Sequence, residues 1–470
     1  MTPLFRNFLL CAAAPLLLDA CAVTAPPAKV DAQAPAAWQA ATPHNASLTD
    51  LTGWWQRQGD PVLLELITAA QTASPTASAA RSRIAQARAQ SVAAGAALLP
   101  TLDGAASISR ASQQSTLPLG TTSQGGFQTA WEIDLFGARR ADREAARERL
   151  RGTTAGWHEA RVSVAAETAN QYYQLRTCAA LLAVAEQDAA SRNDTSRLTQ
   201  LTTEAGFQSP ANAALARASA AEGSSRVVQQ QAQCDLDIKA LVALTALPEP
   251  QLRQRLGGST AVAIGPIEIS AIPAQVLAQR PDVFNAERAV AAASFDTGSA
   301  QADRYPRLTL QGNIGIANFR SGGENTKVDA WTIGPLSLSV PIFDGGRRAA
   351  NVEAARARYD DAVVNYRGVA RQAVREVEEA LVNLQSAARR SVDAQTALEG
   401  YRYSFRATED LYKNGLASLL QLEDARRTRL NAENALVTLE RERNAAWIAL
   451  YRAAGGGWNA SLDSAAIARQ

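Results

Sequence analysis

The sequence predicts an α+β protein in which one unit, a strand hairpin followed by a very long helical hairpin, occurs twice. Three observations carry this. A shift of about 208 residues lays the chain over itself. Phe136-Gly137-Ala138-Arg139-Arg140-Ala141 returns as Phe343-Asp344-Gly345-Gly346-Arg347-Arg348-Ala349, and Glu144-Ala145-Ala146-Arg147 returns as Glu353-Ala354-Ala355-Arg356. Ahead of each copy, apolar and polar residues alternate with period two, the mark of a strand whose two faces meet different surroundings. Behind each copy lies a long proline-free stretch rich in Ala, Arg, Glu and Gln, which favours long helices that approach closely.

The first element is a leader. Arg6 precedes a short apolar core at 8–18, too short to cross a membrane. Leu18-Asp19-Ala20-Cys21 then resembles a bacterial lipoprotein cleavage site, with 1–20 as the signal and Cys21 as the lipidated residue. Asp19 departs from that pattern, which favours a small or hydroxylated residue there. Cys11 sits inside the apolar core and fits less well, and an ordinary secretory signal with an incidental Cys is the alternative. Residues 21–50 read as a lipidated tether, flexible over 22–37, with order beginning near Trp38.

Helical segments of the first copy occupy 51–99. Trp54-Trp55-Gln56 and Gly59-Asp60-Pro61 lead into a helix from about Val62, and Ser74-Pro75 opens another through Arg81, Ile84 and Arg88. A strand hairpin follows over 100–136. Phe127, Thr129, Trp131, Ile133 and Leu135 alternate with Gln128, Ala130, Glu132 and Asp134. A weaker strand spans 102–109, and the Ser/Thr/Gln/Gly-rich residues 110–126 read as the loop between them. Then come a helical hairpin, 137–247, and a segment, 248–305, that holds a Pro/Gly-rich equatorial linker and the first helix of the second copy. The second copy repeats the scheme: strands at 307–316 and 328–340 around a Gly-rich loop at 319–326, all within 306–343. A second helical hairpin covers 344–454, and 455–470 is the tail.

In that second hairpin Val352, Ala355, Tyr359, Ala362, Tyr366, Val369 and Ala373 step by three and four, and Val377, Ala380, Leu384 and Ala387 continue the stripe. Such spacing makes a coiled-coil-like seam. The run is roughly 65 residues, on the order of 100 Å of helix. Each long helix ends in a signalled turn: Gly206 before Ser209-Pro210, and Asn414-Gly415 before a capping box at Ser418-Leu419-Leu420-Gln421.

Composition excludes several functions. The chain has 470 residues and a formal net charge of +2. Its Arg residues alternate with Asp and Glu along helical stretches, so no basic stripe invites nucleic acid. Its two histidines, His44 and His158, belong to no metal-ligand pattern, since His158-Glu159 lacks the second His of a zincin. Gly312, Gly315, Gly322 and Gly323 accompany strands, with no helix N-terminus to cradle phosphate. An enzyme is not expected, nor a cofactor or a metal. Cys178 and Cys234 lie symmetrically about the Gly206 turn, which leaves two readings: a disulfide across an antiparallel hairpin, or two separate buried thiols.

Trp54-Trp55, Gly59-Asp60-Pro61, Gln279-Arg280-Pro281-Asp282-Val283, Ala286-Glu287-Arg288, the run from Val340-Pro341-Ile342 to Gly345-Gly346-Arg347-Arg348, and Gly455-Gly456-Gly457-Trp458 stand in fixed order. Together they resemble the signatures of the outer-membrane efflux protein family, the TolC-like and OprM-like channels, over essentially the whole mature chain. The resemblance implies a homotrimer in which four strands per chain close one twelve-stranded β-barrel, continued by a periplasmic α-helical coiled-coil tunnel. It implies a periplasmic adaptor and an inner-membrane transporter of the RND type as partners, with outer-membrane lipid around the barrel. S-diacylglycerol and N-palmitoyl chains are expected on Cys21, and Ala22 implies sorting to the outer membrane.

The copies disagree at one place. Leu420, Asp424 and Arg427 lie at i, i+4 and i+7 on one helix face, where the first copy offers Ala211, Leu215 and Ala218. These positions match the family's periplasmic constriction, and Tyr412 and Arg427 match residues of the polar network holding it shut. An exposed Asp–Arg pair that merely solubilises a helix is the plainer reading. For function, the resemblance implies passive conduction of drugs or other small molecules within a tripartite efflux system. The alternatives are a type I protein-secretion duct and a structural periplasmic coiled-coil lipoprotein.

Overall fold

The computed structural model describes residues 23–40, 51, 53–112, 119–257, 264, 267 and 273–459. The signal 1–20, Cys21 and His44 lie outside the described residues. In chain order the elements are α1 (Trp54–Arg57), α2 (Pro61–Ala73), α3 (Pro75–Ala96), β1 (Thr101–Ala111), β2 (Gly120–Ile133), α4 (Ala138–Glu204), α5 (Pro210–Thr245), α6 (Glu249–Gly257) and α7 (Pro273–Leu277). The second copy supplies α8 (Pro281–Ala302), β3 (Arg307–Ser321), β4 (Glu324–Ser339), α9 (Arg347–Lys413) and α10 (Leu419–Ala453). The duplication is visible in the lengths: α3 and α8 have 22 residues each, and α4 and α9 have 67 each. Contacts divide the chain into two compact units.

One unit, 1–32 with 82–154 and 285–368, holds the sheet. Its four antiparallel strands run in the order β1-β2-β3-β4, so β1 and β4 are edges paired on one side only. Register sorts the side chains. Trp131 pairs with Leu310 and Leu310 with Leu336, Phe127 with Ile314 and Ile314 with Trp331, which puts them all on one face. On the other face Glu132 opposes Thr309, Gln128 opposes Asn313, and Thr309 opposes Ser337. The apolar face stands open, with Ile314 61% and Trp331 70% exposed. Among the described residues, no helix is long and apolar enough to cross a membrane.

The strands are longer than their hydrophobic pattern suggests. Residues 120–126, expected as loop, belong to β2 and pair with both β1 and β3. The second loop shrinks to Gly322-Gly323, both with positive φ, as a two-residue hairpin turn requires. Backbone pairing, not side-chain burial, extends these segments. Gly126 and Gly315 show it best, since a Cβ on Gly126 would stand 2.4 Å from the Ile314 carbonyl oxygen.

The N-terminal segment also departs from expectation. Residues 23–32 lie along the helices of this unit rather than hanging free. The Pro26 carbonyl accepts from the Ser294 hydroxyl, and the Pro27 carbonyl accepts from Tyr359 Oη at 2.8 Å. A Pro-rich chain makes no internal backbone bonds, so its carbonyls are open to such capture.

The other unit, 33–81 with 155–284 and 369–470, is helical. Here the backbone N–H groups of Gln39 and Ala40 donate to the Glu378 carboxylate at 2.7 and 2.8 Å. Four of the family-like signatures are joints within this unit. Asp60 caps α2 by accepting from Leu63 N and takes the Tyr172 hydroxyl at 2.7 Å. Trp54 stacks on Tyr451 at 4.8 Å between centroids. The buried Arg280 bonds Asp282, Glu376 at 2.9 Å and the Ala453 carbonyl at 3.0 Å, closing the end of α10. Burial works against the Arg280 cation, but Asp282 and Glu376 outweigh it and hold its pKa above the ordinary value. The closing glycines follow from the same joint: Cβ atoms on Gly455 and Gly456 would strike the Gln279 carbonyl and Val162.

Candidate functional site at the hairpin tips

Both helical hairpins turn in the same way, because both sequences solve the same end problem. After α4, Gly206 at φ +81° lets Phe207 N reach the Thr202 carbonyl and Gly206 N reach Thr203, a Schellman motif. After α9, Gly415 at φ +74° repeats it, with Leu416 N on Leu411 and Gly415 N on Tyr412. Ser209 then caps α5 with Pro210 at its first turn, and Ser418 and Gln421 cap α10 reciprocally.

Just past the second turn, Leu420 is 73% exposed, and Asp424 and Arg427 form an ion pair on the same exposed face. The matching residues of α5, Ala211, Leu215 and Ala218, are exposed as well but carry no charge. Tyr412 sits elsewhere. It is buried among Ala216, Phe405, Leu419 and Leu422, and its hydroxyl shares a 2.6 Å hydrogen bond with Thr199 of α4. The structure therefore brings Asp424 and Arg427 together and keeps Tyr412 apart from both, as a tie between the hairpins. Cys178 and Cys234 are joined by a disulfide across α4 and α5, with Cα atoms 5.5 Å apart.

A second cluster, next to the exposed face, was not anticipated. Leu419, Leu422, Arg426, Arg429 and Glu433 step by three and four, so the apolar seam of α10 runs on into charge. Arg426 is fully buried; its guanidinium donates to Glu423, to Ser191 Oγ at 3.1 Å and to Thr195 Oγ1 at 2.8 Å. Glu423 spans the two hairpins, its other oxygen accepting from Arg192 of α4 at 2.7 Å. Arg192 in turn holds Asp188 at 2.7 Å, which also takes Arg226 of α5 at 3.1 Å. Asp188, Arg192, Thr195 and Thr199 repeat the three-four stepping on α4, so two polar seams meet. Gly223 brings α5 in, since a Cβ there would stand 2.9 Å from Arg192 Cδ.

Burial pulls the Arg426 guanidinium below its ordinary pKa, and Glu423 offsets only part of that. The Arg426 and Arg429 Nε atoms and Asp188 Oδ1 are buried without a hydrogen bond. Such a seam contributes little net stability compared with an apolar one, because desolvation offsets most of the Coulomb gain. What it supplies is an arrangement that is costly to break one partner at a time. The signal was present in the sequence: charged residues at seam positions, easily read as a solvated face.

The outer membrane efflux protein family model matches residues 66–247 and 272–456, one stretch in each copy of the repeat. Over 480 aligned residues and 97% of each chain, the sequence is 29% identical to the pyoverdine export outer membrane protein OpmQ of Pseudomonas aeruginosa. It is 28% identical to the toluene efflux pump outer membrane protein TtgI of Pseudomonas putida, over 86% of this chain and 87% of that one. Among solved structures, the outer-membrane channel OprN is similar with a TM-score of 0.83 at 27% identity, covering 93% of this chain and 99% of that one.

Proposed function

The chain belongs to the outer membrane efflux protein family, and on that premise we propose that it is the passive exit duct through which a tripartite pump discharges drugs or other small molecules. The observation that supports this best is the sheet: four strands, one apolar face, and two edges without partners. In lipid an open edge leaves backbone groups unsatisfied at several kcal/mol each, so only closure makes such a sheet viable. Three copies, β4 of each pairing with β1 of the next, close a twelve-stranded barrel with its polar face on the lumen. From Leu308 to Ile316 the apolar rows of β3 run about 26 Å along the strand, the length a tilted strand needs to cross an outer-membrane apolar band.

In this reading the chain is lipid-anchored through Cys21, an adaptor in the periplasm grips the helical hairpins, and an RND transporter in the inner membrane supplies the energy. Threefold symmetry turns Asp424 into a ring of three carboxylates with Leu420 beside it, the gate of the duct. The test is conductance of the purified protein in planar bilayers. Asp424→Ala and Arg427→Ala raise the resting conductance several-fold; unchanged conductance in both removes the gate from these residues. Deleting 307–340 abolishes membrane insertion of a duct but leaves a structural rod soluble and trimeric.

A further inference from the structure

The apolar face of the sheet carries a feature that conduction does not need. Near the hairpin turns its rows change character. The row Phe127–Ile314–Trp331 is bulky, with Gly104 at its β1 end, but the next row toward the turns is Ala106–Gly125–Ile316–Asp329. Beyond it lies Ile108–Ser123–Asn318–Lys327, and then Arg110–Thr121–Arg320–Asn325. The small residues Ala106, Gly125 and Ser123 leave a hollow of about 610 Å³ on this face, walled by Ile108 and Ile316. Lys327 and Asn318 line its outer side, and Arg110 and Arg320 stand one row further out.

All three cations are exposed on the apolar face of the sheet. Among the described strand residues, Asp329 is the one carboxylate on this face; it lines the inner end of the hollow, a row inward of Lys327. Asn318 lines the hollow with its Oδ1 buried and without a hydrogen bond. Helices join the strands at the opposite end, so in the duct proposed above this rim lies at the outer leaflet. Closure by further copies would continue it, because Arg110 is on β1 and Lys327 on β4, the two edges that meet.

An apolar slot beneath three cations fits a ligand with an acyl chain below and phosphate above. We propose that this ledge binds a phosphorylated glycolipid of the outer leaflet, with an acyl chain in the hollow at Gly125 and a headgroup phosphate on Arg110, Arg320 and Lys327. Charge complementarity commits the site to an anionic headgroup, and the hollow commits it to a lipid rather than free phosphate. The bland alternative, that the cations merely keep the strand ends in water, leaves both the missing side chains and the unpartnered Asn318 without a role. This inference rests on the duct reading for the orientation of the sheet.

The test is native mass spectrometry of the full-length, delipidated protein with bis-phosphorylated lipid A, dephosphorylated lipid A and inorganic phosphate as probes. Wild type retains bis-phosphorylated lipid A at least tenfold more strongly than the dephosphorylated form, and millimolar inorganic phosphate does not displace it. R110Q/R320Q/K327Q loses that preference. Gly125→Leu, which fills the hollow where an added Cβ meets nothing closer than 3.9 Å, lowers retention of both lipids. Equal retention of the two lipids by wild type, an unaltered preference in the triple variant, or complete displacement by inorganic phosphate overturns the proposal. Conductance of the same preparations in phosphatidylcholine bilayers reads the duct separately: loss of the lipid preference from a conducting protein counts for the ledge, and absence of conductance in wild type counts against the duct itself.

Discussion

Replacing Glu423 by Gln probes the buried seam most sharply. Its two carboxylate oxygens are divided between Arg192 of the first hairpin and Arg426 of its own helix. Those side chains are 7% and 0% exposed. A Gln amide can accept from one guanidinium but presents N–H groups to the other, leaving a buried cation without its counter-charge. Removing one partner of a buried pair costs about 3–5 kcal/mol. Glu423 is 17% exposed, so the low end, about 3 kcal/mol, is the working figure. At about 1.4 kcal/mol per tenfold, the balance between closed and opened tips moves about a hundredfold toward opening if the contact is made only when the tips are together. Arg427→Gln breaks an exposed pair worth at most about 1 kcal/mol and serves as the comparison. Single-channel recording therefore finds a larger rise in resting conductance for Glu423→Gln than for Arg427→Gln. Equal or absent effects, with the thermal midpoint of Glu423→Gln unchanged, show that the seam does not hold the tips shut.

Replacing the set together, as Asp188→Leu, Arg192→Met, Glu423→Leu and Arg426→Met, gives an apolar seam that is neutral or more stable by about 1–4 kcal/mol. It holds the tips shut, so the thermal midpoint is kept while a deletion strain carrying it stays drug-sensitive; a falling midpoint contradicts this. The Cys178–Cys234 disulfide closes a loop of 56 residues, a restriction of the unfolded chain worth about 4 kcal/mol. Reductant therefore lowers the unfolding midpoint by several degrees, and identical melts with and without it count against that role. Burial, and then the Asp60 carboxylate it donates to, push the Tyr172 hydroxyl up to about 12. The neutral phenol is the form the fold favours, so its contribution is whole below pH 10 and lost as pH rises through about 12. Melts of wild type fall steeply over that window, whereas those of Tyr172→Phe fall less; parallel curves contradict the assignment.

The sequence displays what repeats and what ends. The turns at Gly206 and Gly415, the caps at Ser209 and Ser418 and the stripe from Val352 to Ala387 were legible because each is a local demand on a few side chains. Ala370, rather than Val369, is the buried residue at one step of that stripe, a rotation of one position along a 67-residue helix. The outer half of β2 was not legible. Gly120 to Gly126 pair through backbone, which leaves no hydrophobic alternation to read. The segment 23–32 looked flexible because proline carbonyls give no hint of the Ser294 and Tyr359 hydroxyls that capture them. At the tips the exposed trio of Leu420, Asp424 and Arg427 was conspicuous because it breaks the repeat. The buried partners were missed, since Arg426 and Glu423 lie beside Arg427 and Asp424 and read as one charged surface. Only their seam spacing, continuing Leu419 and Leu422, separates them.

Export of small molecules through this chain is the activity proposed above. Its most direct test is a chromosomal deletion, scored for intracellular accumulation of a fluorescent dye and for susceptibility to a panel of antibiotics and solvents. Deletion should raise accumulation and susceptibility several-fold, with both restored by the wild-type chain but not by one lacking 307–340. Unaltered accumulation and susceptibility together with a defect in protein export would contradict it.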